Sequence, residues 1–109
     1  NFILLPMFRA ALEQVLEWQV ESIEHYCLGM SNVLAAHLTQ LGFWVEDDGA
    51  RSAHMFGALL PPGRDVASFF ERLNKHNIFV SRRGEAVRIS THVYIEEKDV
   101  ELFKEVLME

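Results

Sequence analysis

Ile78-Phe79-Val80-Ser81-Arg82-Arg83-Gly84-Glu85-Ala86-Val87-Arg88-Ile89-Ser90, residues 78–90 of a 109-residue chain, decides the fold. Two short β-prone runs, Ile78–Arg82 and Ala86–Ser90, flank Arg83-Gly84-Glu85, a brief turn with a glycine. The spacing predicts a β-hairpin. Side chains alternate across a strand, so Val87 and Ile89 share one face while Arg88 and Ser90 share the other. A guanidinium on an open strand face offers a planar, bidentate fork to a carboxylate. The same position also suits an arginine that is simply solvated on a half-buried sheet.

Downstream, Glu96, Glu97 and Asp99 crowd a first helical turn, where acids complement the dipole, and Val100, Phe103, Val106 and Leu107 face inward. Upstream, Asp65 caps a helix whose stripe is Val66, Phe69, Phe70 and Leu73. His54 to Leu60, with Gly57 inside it, reads as a strand ended by Pro61-Pro62-Gly63. Phe43-Trp44-Val45 is a shorter strand closed by Asp47-Asp48-Gly49 and preceded by Gly42 at a helix C-cap. Phe69, Phe70, Phe103 and Trp44 are placed in the core by spacing.

From Met7 to Leu41 there is no proline, and Leu16, Val20, Ile23, Cys27, Met30, Leu34, Leu38 and Leu41 recur three and four apart. One continuous helix over 7–41 would be about 50 Å long at 1.5 Å per residue. An offset seam of Phe8, Leu12 and Val15 predicts either a bend near Val15 to Val20 or one helix touching two different bodies. The expected class is α+β: a long N-terminal helix plus a small antiparallel sheet of three to four strands packed on helices.

A chain of 109 residues holds one domain. Sixteen acids against ten bases, net charge -6 with no basic block, disfavour nucleic acid as a partner. No apolar run approaches the roughly 20 residues that a bilayer span needs, so no membrane partner is expected. A lone thiol, Cys27, suits a reducing compartment and a cytoplasmic location, and its place mid-seam makes it a core residue rather than a nucleophile. His25, His37, His54, His76 and His92 show no zinc-ligand spacing, although His54 and His92 fall at strand ends that could converge. No phosphate-cradling glycine loop or nucleophile elbow occurs. The start Asn1-Phe2-Ile3-Leu4-Leu5-Pro6 lacks a charged n-region and is broken by proline, unlike a signal peptide. It reads as the interior of a longer polypeptide.

Asn77 to Tyr94 resembles the C-terminal signature of class V aminotransferase-like enzymes: arginine on a strand, serine two on, histidine four on and tyrosine six on, ahead of an acid-headed helix. His54-Met55-Phe56-Gly57 through Pro61 is similar to that family's earlier small-domain strand, and Asn1 to Trp18 to the segment that leaves its large domain. The resemblance implies the C-terminal small domain of a fold type I enzyme dependent on pyridoxal 5'-phosphate, with residues 1–18 as the linking helix and 19–109 as the small domain. It implies that Arg88 binds the α-carboxylate of an amino-acid substrate, with His92 and Arg83 in supporting, orienting roles. The Schiff-base lysine and the phosphate ligands would lie in the missing large domain, so the fragment alone is expected to be inactive. Homodimers are usual in that family.

Two departures stand out. Ile95 replaces the family's asparagine, removing its helix cap, and the hairpin lacks the catalytic thiol of cysteine desulfurases, which leaves aminotransferase, epimerase-like or lyase-like chemistry. The alternative from another class is a stand-alone α+β module that binds a small acidic ligand or a protein.

Overall fold

The computed structural model describes residues 1–109: four helices and one four-stranded sheet, in the order α1 (Leu4–Trp18), α2 (Val20–Gln40), β1 (Trp44–Val45), β2 (Met55–Leu59), α3 (Val66–Lys75), β3 (Ser81–Arg83), β4 (Ala86–Ser90) and α4 (Glu97–Leu107). The strands run β1-β2-β4-β3, every pair antiparallel. The α+β class with a small antiparallel sheet is as expected. No helix is long and apolar enough to cross a membrane.

Helices α2, α3 and α4 cover one face of the sheet. Phe56 and Ala58 of β2 and Val87 and Ile89 of β4 point into that layer, where they meet Leu34 and Leu38 of α2, Phe69 and Leu73 of α3 and Phe103 and Val106 of α4. Alternation along each strand leaves the other face uncovered, so β4 buries Val87 and Ile89 while Arg88 is half-buried and Ser90 exposed.

The turn chemistry fixes how these elements join. Gly42, at φ 89°, ends α2 in a Schellman motif: its N–H donates to Thr39 O (3.1 Å) and that of Phe43 to Leu38 O (3.0 Å). Asn77, at φ 58°, does the same for α3, with Asn77 N–H to Asn74 O (3.0 Å) and Ile78 N–H to Leu73 O (2.9 Å). That second motif consumes Ile78 in the helix exit, so β3 begins at Ser81 and not at Ile78 as the apolar run predicts. Asp65 caps α3 by accepting from Ala67 N–H. Arg83 pairs with Ala86 across a two-residue loop whose first residue, Gly84, has φ 64°.

Three expectations are corrected. The 7–41 helix is two helices, broken where the phase slips: Gln19 takes φ 69°, and its carbonyl restarts the ladder by accepting from Ile23 N–H. The continuous seam also fails N-terminal to the break, for α1 contains no buried residue and burial begins at Cys27. Trp44 is not core. It is 62% exposed on the uncovered sheet face, because Leu59, its partner across the β1–β2 pair, belongs to that face. Finally, the missing asparagine at 95 does not leave α4 uncapped: Glu96 and Asp99 form a capping box, with Asp99 Oδ2 accepting from Glu96 N–H at 2.9 Å.

Candidate functional site

Arg88 sits in the middle row of the open face. Its cross-strand neighbours are Gly57 on β2 and Ser81 on β3, so one flank of the side chain carries no Cβ and the other a small hydroxyl. A Cβ placed on Gly57 would meet only the Val87 carbonyl oxygen, at 4.0 Å, which leaves open space beside the guanidinium. Strand-interior glycines recur where another group approaches closely.

The partners of Arg88 are few. Nη2 donates to Ser81 Oγ at 3.4 Å, a long contact, and Nε is buried with no acceptor at all. Of the other bases, Arg9, Arg51, Lys75, Lys98 and Lys104 pair with acids, while Arg83 is exposed at the hairpin end. Arg64 lies over Phe43 and Phe69, and burial first, then the charge of Arg72, lowers its pKa from the ordinary arginine value. Arg82, on the core side of the sheet edge, lies over Phe70, and Arg72 donates to Glu109 O although its Nε, like that of Arg88, is buried without an acceptor. Arg88 is therefore a half-buried cation without a counter-ion, and such a group gains most from a carboxylate with two acceptor oxygens.

Arg83 shares the open face with Arg88, one pleat repeat along β3 from Ser81, and is exposed at the hairpin end. His92 lies beyond the end of β4 and is turned elsewhere: its ring stacks on Tyr94 (centroids 5.5 Å, 18° between planes) and meets the edge of Trp18 at 6.3 Å. The strand ends bearing His54 and His92 do converge, through Thr91 N–H donating to His54 O at 2.8 Å, but the two side chains have different partners, His54 Nδ1 lying 2.9 Å from Ser52 Oγ. Cys27 is fully buried with Sγ 3.6 Å from Thr91 O, as its seam position predicts. Below it, Ser31 joins Ala53 O (2.6 Å) and Thr91 Oγ1 (3.1 Å), fastening α2 to the end of β4.

Beside Arg88 a cleft of about 570 Å³ opens between the Asn77–Ser81 segment, the end of β4 and α4. Its wall is mostly apolar. Phe79 and Tyr94, 79% and 76% exposed, line it together with Leu102 and Ile95. Gly57, Ser81 and this cleft were not identified from spacing, since each depends on strand register; the one available signal was a glycine inside the β2 run.

Solved structures share this fold. The chain superimposes on a NifS-like protein with TM-score 0.79 at 19% identity, covering 90% of this chain and 30% of that one. A NifS-like protein from Rickettsia africae gives 0.70 at 17%, covering 80% and 28%. The chain has the fold of part of these proteins. Alanine–glyoxylate aminotransferase from Nostoc sp. gives 0.71 at 19%, covering 91% and 28%. The resemblance to class V aminotransferase-like enzymes read from residues 77–94 thus holds at the level of the fold, and the chain spans under a third of the length of these structures. No protein-family profile and no curated protein matches it.

Proposed function

We propose that this chain is the substrate-carboxylate-binding small domain of a pyridoxal-phosphate-dependent, class V aminotransferase-like enzyme acting on an amino acid. One observation carries the reading: Arg88, the arginine that falls at the family's carboxylate-binding position, is half-buried, has no counter-ion, and faces a strand position that is empty of side chain. A bidentate pair there would fix the substrate's carboxylate and with it the direction of the bonds at Cα. Arg83 adds positive potential on the same face. His92 acts more remotely, bracing the β4–α4 connection through Trp18 and Tyr94.

The chain's own residues do not fit the cofactor. Lys75, Lys98 and Lys104 are each paired with a glutamate on a helix surface, and none lines the Arg88 cleft. Pyridoxal phosphate, the electron sink of such enzymes, would be held by the other part of the parent polypeptide. Residues 1–18 would lead from that part, which accords with an N-terminal segment and first helix whose large apolar residues, from Phe2 at 96% exposure to Leu16, find no cover here. A homodimeric, cytoplasmic parent completes the reading, the buried lone thiol suiting a reducing compartment. Chemistry through a cysteine of this chain is disfavoured, because Cys27 is sealed in the core.

Replacement of Arg88 by alanine in the parent enzyme tests the proposal. Hydrogen bonds to charged groups contribute about 1.5–3 kcal/mol, so kcat/KM for the amino acid should fall roughly 10- to 150-fold. An unchanged kcat/KM would refute the role.

A further inference from the structure

The proposed carboxylate clamp leaves the substrate's side chain unspecified, and the cleft beside it restricts the choice. Apart from Arg88, the cleft wall carries no lysine and no second arginine, Arg83 lying outside it at the hairpin end, so a second acidic group reaching into the cleft finds no counter-charge there. Its single carboxylate, Asp99, is turned back into the α4 capping box and accepts from Glu96 N–H, so a basic side chain finds no free acid. Of the neutral polar groups, Ser81 lies across from Arg88 on β3, Ser90 and Thr91 lie at the end of β4, and Asn77 stands at the exit of α3.

The mouth itself is aromatic. Phe79 and Tyr94, from segments on opposite sides of the hairpin, both line this one cleft and both hold most of their surface in solvent. Exposed aromatics gathered at a concavity mark a place where apolar surface is later covered. The volume, about 570 Å³, falls within the range of small-molecule sites.

Resting on the reading of Arg88 given above, we infer that the side-chain subsite selects an uncharged, bulky apolar amino acid, with an aromatic ring fitting best: the carboxylate on Arg88, the ring between Phe79 and Tyr94. Charge complementarity sets one end, and the mostly apolar wall of the cleft, which Arg83 does not line, sets the other.

NMR titration of the 109-residue chain with propionate, phenylpropionate and succinate tests this directly. Phenylpropionate should bind about tenfold tighter than propionate, the gain given by covering roughly 55 Å² of apolar surface at about 25 cal/mol per Å². Succinate should show no gain over propionate. Phe79→Ala or Tyr94→Ala should remove the advantage of the phenyl tail while leaving propionate binding intact; both side chains are solvent-exposed, so their loss spares the core. Arg88→Gln should abolish shifts from all three probes. Equal affinities for propionate and phenylpropionate, a preference for succinate, or a tail advantage that survives both aromatic substitutions would overturn the subsite and leave the clamp standing. Binding indifferent to Arg88→Gln, or no shift with any probe, would overturn the clamp as well.

Discussion

Gly57 offers separate tests of stability and of binding through two substitutions. It lies mid-strand in β2, directly across from Arg88, and its φ is not in the positive region that only glycine favours. Glycine inside a strand costs about 0.5–1 kcal/mol relative to alanine through lost backbone entropy. An added Cβ here encounters only the Val87 carbonyl oxygen at 4.0 Å, an ordinary contact, so no steric penalty offsets that gain. Gly57→Ala should therefore stabilise the fold by about 0.5–1 kcal/mol, a Tm rise of roughly 2–8 °C for a domain of this size. Gly57→Leu should keep the fold but place its side chain on the open face, about 5 Å from the Arg88 Cβ, where it crowds the guanidinium proposed to hold the carboxylate. The assays are a thermal melt followed by circular dichroism and an acetate titration followed at the Arg88 side chain. If Gly57→Leu binds acetate as the unchanged chain does, the flank of Arg88 is not the carboxylate site. If Gly57→Ala lowers Tm, the account of the β2 backbone is wrong.

Leu38 is completely buried at the heart of the core, so Leu38→Ala should cost about 2–5 kcal/mol in chemical denaturation, and a loss below 1 kcal/mol would contradict the packing of α2 on the sheet. Helix α1, with no buried residue, should show the fastest amide exchange of any helix in the isolated chain, and protection equal to that of α2 would show that it has found a partner.

Much of the fold was legible because several local rules agreed. The stripe of α3, its Asp65 cap, the glycine closing α2 and the alternation around Arg88 each matched a periodicity or a turn preference that burial then enforced. Misreadings fell where a short segment had no periodicity to read. Two residues cannot reveal which face they occupy, so Trp44 was placed inward, whereas its register with Leu59 turns it out. Ile78-Phe79-Val80 has strand composition, but the Schellman exit of α3 claims Ile78, which delays β3 to Ser81. The capping box at Glu96 and Asp99 was visible only as an acidic first turn. For the site, the arginine was legible from alternation and resemblance. Its surroundings were not, because Gly57 and Ser81 are distant in sequence and meet it only once the register is fixed.

The strand that carries Arg88 is held on both sides, by β2 and by β3. The root of the guanidinium is thus immobilised by folding itself, and ligand capture need not order the backbone beneath it. Affinity then becomes a readout of sheet integrity. A substitution that frays the three-residue β3 would weaken carboxylate capture without touching the arginine, by lowering the fraction of molecules in which its platform is intact.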